Sequence, residues 1–102
     1  MTDMELNELI HVEVEGWEMT PPTFTWKWGR EGRYQNDVPD YGNDPAWAVA
    51  MMEKHDLFRG SDPYTQESLI WWNTRDSEPI AADKSLTRAV ALAVLALTRE
   101  GK

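Results

Sequence analysis

The chain has 102 residues, a formal net charge of −8, six tryptophans and no cysteine. That length fits one domain with a small core, and the missing cysteine excludes disulfides, thiol nucleophiles and Cys-ligated metals. No apolar run reaches the ~18 residues of a membrane-spanning helix, and the first twenty residues hold six acids and no Lys or Arg, the opposite of a secretory signal, so a cytoplasmic protein is expected.

The first expected element is a helix over about residues 3–15. Thr2 and Glu5 have capping-box spacing, and Leu6, Leu9, Ile10 and Val14 recur at helical intervals. Gly16 is placed to end the helix in a left-handed turn before Trp17 returns to the core. On the other side of this helix, stepping about 100° per residue, Glu5, Glu8, Val12 and Glu15 fall within about a quarter turn of one another. They make an acidic stripe holding one apolar residue.

A hairpin is expected over about 23–38. Phe24, Trp26 and Trp28 alternate with Thr25 and Lys27, and Gly29 to Gly32 supply a turn ahead of a shorter strand through Tyr34. Phe24, Trp26 and Trp28 share one strand face, which predicts that a core claims them. The next helix, over about 44–58, has Asp44 as N-cap and Pro45 at its first position, with Trp47, Ala50, Met51, Lys54, Leu57 and Phe58 on one side.

"SLIWW" lies in a strand expected over about 66–73. Its Leu69 and Trp71 face one way and its Ile70 and Trp72 the other, so both faces call for a cover. "SEPIA" is expected to add a short strand or an extended approach to the last helix, over about 84–100, with Asp83 as its cap. Leu86, Ala89, Val90, Ala93, Val94 and Leu97 make a broad apolar stripe on that helix. Leu92 and Leu95 point about 120° to 180° away from Leu86 and must meet another helix, a loop or a second copy, which makes them candidates for self-association. The expected class is α+β: a three-layer alpha-beta-alpha sandwich with a small, mainly antiparallel sheet of about three to four strands covered by about three helices.

Five stretches in this order resemble the phage ABA sandwich domain family: "VEVEGW" at 12–17, "FTWKWGREG" in the hairpin, "YGNDPAWAVAMME" at 41–53, the tryptophan strand, and the alanine-rich "ADKSLTRAVALAVLAL". The closing helix lacks the proline of the family pattern near its start. The resemblance spans nearly the whole chain and implies an alpha-beta-alpha fold, a phage or prophage origin, and an accessory role in the infected bacterium. It implies no enzymatic activity and no particular site residues.

The residues themselves ask for no catalysis. His11 and His55 lie in no metal or nucleophile motif, and no phosphate-binding or dinucleotide loop is present. Asp37, Asp40 and Asp44 lack the spacing of a calcium loop, since the twelfth position counted from Asp40 is Met51; a turn and a helix cap account for them. No catalytic residue, metal or cofactor is assigned. "FTWKWGREGRY" mixes aromatics with Lys27, Arg30 and Arg33 as single-strand binders do, yet three cations in an acidic chain are few, and no direct nucleic-acid or membrane partner is expected.

What remains is protein binding. Residues 1–26 hold six acids against no Lys or Arg, and a net-negative surface favours basic partners. Glu5, Glu8, Val12 and Glu15 are therefore the candidate contact for a host bacterial protein with a basic surface, the chain acting as an inhibitor of a defence or nucleic-acid-handling complex. A homo-oligomeric scaffold, such as a homodimer through Leu92 and Leu95, and an enzyme with a carboxylate site are the alternatives.

Overall fold

The computed structural model describes residues 1–72 and 78–101. The first helix, α1 (Asp3–Leu9), starts where the capping residues predict: the Glu5 amide donates to Thr2 Oγ1 at 3.2 Å. It does not continue as an α-helix. Ile10–Val14 forms a π-helical turn, in which the Glu15 amide donates to the Ile10 carbonyl five residues back at 2.9 Å. Gly16 then takes φ +77°, the left-handed conformation that glycine adopts without a Cβ penalty, and Trp17 is returned to the core.

Two antiparallel sheets follow. The first runs β1 (Glu18–Met19), β2 (Trp28–Arg30), β3 (Arg33–Gln35), in that order, with Glu18 and Tyr34 both paired to Gly29 and Trp28 paired to Met19 and Gln35. Its β2–β3 hairpin turns through Glu31 and Gly32, both at positive φ, as a two-residue turn matching strand twist requires. The expected hairpin is thus present and shorter. Phe24 and Trp26 precede its first strand and are half-exposed, at 51% and 47%, so only Trp28 of the three aromatics is claimed by the core.

A 3-10 turn (Tyr41–Asn43) leads into α2 (Pro45–Lys54), whose N-cap Asp44 accepts from the Ala46 and Trp47 amides. The buried face of α2 is Ala48 and Met51; Ala50 is exposed. The second sheet is β4 (Phe58–Ser61), β5 (Ser68–Trp71) and β6 (Ala81–Asp83), with β5 central. Position 73, the end of the expected strand, lies outside the described residues. The last helix is α3 (Leu86–Arg99). Its N-cap is Ser85, whose hydroxyl accepts from the Arg88 amide, rather than the predicted Asp83, which accepts from the Ser85 amide and pairs with Arg88.

The α+β class, the antiparallel strands and the three α-helices match the sequence reading, with the strands divided between two three-stranded sheets. Helix α3 joins two cores. Ala89, Val90, Ala93, Val94 and Leu97 pack with Ile70 of β5 and with Ala48, Met51 and Leu57, while Ala91 and Leu95 pack with Leu6, Ile10 and Tyr41. Leu95 is 3% exposed and Leu92 is half-buried against the same cluster. Leu95 is therefore covered within the chain by α1 and the Tyr41 turn, whereas Leu92 is covered only in part.

Neither strand tryptophan belongs to the buried core. Ile70 meets α3, but on the opposite face the Trp71 ring lies over Gly60 of β4, so close that a Cβ there would stand 2.6 Å from a ring carbon. Trp72 is 36% exposed. No helix among the described residues is long and apolar enough to cross a membrane.

Candidate functional site

Three of the four residues of the predicted acidic stripe line one concavity. Glu5, Glu8 and Val12, with Leu9, Glu13, Met19 and Trp28, line an open concavity of about 460 Å³ between α1, the π-turn and the first sheet. Leu9, Val12, Met19 and Trp28 are its apolar part, and Glu5, Glu8 and Glu13 its acidic part. Val12 is 45% and Met19 66% exposed, so the apolar part is open to solvent. Neither Glu5 nor Glu8 has an ion-pair partner among the described residues. Glu13 is held by Arg99, which donates from Nε to Oε1 at 2.9 Å and from Nη2 to Oε2 at 3.0 Å; that hydrogen bonding holds the Glu13 carboxyl below its ordinary pKa.

Glu15, the fourth predicted residue, is not part of this groove. The π-turn inserts one residue into the helical rotation, so positions after it no longer follow the α-helical spacing on which the stripe was counted. Glu15 is carried inward. Its Oε1 accepts from the Trp47 indole at 2.8 Å, and Arg30 donates to its backbone carbonyl at 2.6 Å and reaches Oε2 at 3.5 Å.

The sheet that forms the groove's far wall is fastened to the π-turn by His11, a fully buried side chain. Its imidazole stacks on Trp17, centroids 5.1 Å apart and planes 8° from parallel, and meets Trp28 edge-on at 5.0 Å and 86°. Gln35 of β3 donates to Nε2 at 3.0 Å, so the proton of the neutral ring sits on Nδ1, 2.7 Å from the Tyr41 hydroxyl that accepts it. Burial lowers the His11 pKa below 6.5, Glu15 opposing and Arg30 assisting. Burial likewise pushes Tyr41 up to about 12, with Glu15 assisting and Arg30 opposing. The buried ring thus holds Trp28 and Trp17 against the π-turn by direct contact.

Asn7 fastens the other wall. It donates to Asp40 Oδ1 at 2.8 Å and accepts from the Gly42 amide at 2.9 Å, holding the loop ahead of α2 on α1. Asp40 also accepts from Asn43, and Asp44 caps α2, so these two carboxylates serve the turn and cap that the sequence suggested. Sequence reasoning missed Leu9, Glu13, Met19 and Trp28 as groove residues. Glu13 alone left a signal, as one more acid on the helix; the others depend on how the hairpin docks.

No family model, no curated protein and no solved structure matches the chain.

Proposed function

We propose that this protein acts by binding another protein through the α1 groove, the partner presenting a basic segment with an apolar residue. The observation that carries this reading is the juxtaposition of uncompensated Glu5 and Glu8 with exposed Val12 and Met19 around one concavity. Carboxylates beside an open apolar floor suit a Lys- or Arg-bearing segment whose apolar side chain settles on Val12 and Met19, the charges steering encounter and the apolar contact slowing release. The resemblance to the phage ABA sandwich domain makes a host bacterial protein the expected partner. An acidic surface of this kind competes where that protein would otherwise hold DNA or RNA, which favours an inhibitor of a defence or nucleic-acid-handling complex.

The test is affinity capture from bacterial lysate with the native protein, a Glu5→Lys/Glu8→Lys variant, and a Glu53→Lys variant that alters charge on α2. The reading requires a host protein recovered with the native chain and the Glu53 variant, and lost with the groove variant. Equal recovery with all three, or none with any, overturns it.

A further inference from the structure

A second concavity, of about 700 Å³, lies on the outer face of the first sheet. Glu18, Gly29 and Tyr34 form one cross-strand row there. The Tyr34 ring rests over Gly29, where an added Cβ would stand 3.1 Å from its Cε1, and Phe24 stacks on Tyr34 with centroids 6.3 Å apart and planes 28° from parallel. Both rings are about half-exposed, at 51% and 49%. Glu18 and Glu31 also line the space, and neither has an ion-pair partner among the described residues. The one cation among the described lining residues, Arg30, is engaged by Glu15 and lies over the Trp17 ring at 5.1 Å.

We infer that this concavity is a subsite for an arginine side chain of a protein partner. Two open aromatic rings offer π-faces, and Glu18 and Glu31 supply the negative charge left unneutralised beside them. A guanidinium uses both at once, its plane stacking on a ring while its N–H fork donates to a carboxylate. Met19 lines both this concavity and the α1 groove, so one polypeptide segment can engage the two in succession. The inference rests on the docking reading above for the kind of partner it names, and extends it by specifying what the hairpin takes.

The experiment is a titration of ¹⁵N-labelled protein with a short peptide bearing two arginines, and with the same peptide carrying uncharged citrulline in their place. The arginine peptide is expected to shift Glu18, Phe24, Glu31 and Tyr34, and citrulline to leave them unmoved. Tyr34→Ala is expected to weaken binding about tenfold, the scale of one cation–π contact with its carboxylate, while Tyr34→Phe, which keeps the ring, binds as the native chain does. Shifts of equal size with citrulline, or none with arginine, overturn the subsite. The Glu5→Lys/Glu8→Lys variant separates the two readings: hairpin shifts that persist in it while host capture fails support both, and capture that survives Phe24→Ala/Tyr34→Ala while the native hairpin ignores the arginine peptide removes the subsite alone.

Discussion

The Glu15 carboxylate accepts the indole N–H of Trp47 at 2.8 Å, across 32 positions of sequence. This bond separates Glu15 from the acids that precede it on the same helix. Glu5 and Glu8 face solvent; Glu15 ties the π-turn to α2 and, through Arg30, to the first sheet. Glu15→Ala is expected to lower unfolding free energy by about 1 to 3 kcal/mol, since it strips a charged acceptor from a half-buried indole and takes from Arg30 its carboxylate, leaving only the bond to the backbone carbonyl of position 15. Glu8→Ala should change it by less than about 0.5 kcal/mol. Urea denaturation of both variants measures the difference; equal small effects would return Glu15 to the surface stripe.

Stability is expected to depend on pH through His11. Its folded pKa lies below 6.5 because burial disfavours the imidazolium, so the folded state prefers the neutral ring. The stabilisation is complete above pH 6.5 and is lost as pH falls below 6.5 through the folded value. His55, also depressed by burial with Lys54 adding to it, contributes in the same window. Tyr41 works at the other end: with its folded pKa at about 12 against 10 in the unfolded chain, stability declines as pH rises from 10 to 12. Denaturation midpoints at pH 7.5 and 5.5 should converge in a His11→Gln/His55→Gln variant, and the alkaline decline should be absent in Tyr41→Phe.

Leu95→Ala is expected to cost about 2 to 5 kcal/mol, the range for truncating a buried leucine, with no change in solution mass. Sedimentation of native and variant chains, with a melting curve for each, checks this. A native dimer that Leu95→Ala dissociates without unfolding would place Leu95 at an interface instead.

Gly60→Ala is expected to destabilise the second sheet by about 1 to 3 kcal/mol, because its Cβ would meet the Trp71 ring at 2.6 Å. Combining it with Trp71→Leu should restore most of the loss, a coupling that a double-mutant cycle reads directly. Additive costs would mean that the ring does not lie over Gly60.

The parts of this fold legible in the sequence are those set by local chemistry. Thr2, Gly16, Asp44 and Pro45 mark helix ends because caps and left-handed turns are satisfied within a few residues. The stripe of α3 was equally plain, since its period is intrinsic to the helix. The π-turn was not, as nothing in "IHVEV" breaks the α-helical pattern; it accompanies the burial of His11 against Trp17 and against Trp28 and Tyr41, the last two from distant positions. The same holds for the groove. Its acidic side was visible as a periodicity in α1, whereas Met19 and Trp28 join it only through a sheet whose docking no local pattern encodes. Phe24 and Trp26 read as core because alternation reports a shared face and not whether anything covers it.

Contact between the α1 groove and a partner is tested most directly by site-specific crosslinking in bacterial lysate. A photoreactive residue replaces Val12, 45% exposed in the groove, or Val49, 56% exposed on α2. The predicted result is a discrete protein adduct from position 12, suppressed by added salt as a contact made by acidic side chains would be, and none from position 49. Adducts from both positions alike, or from position 49 alone, would contradict a binding role for the groove.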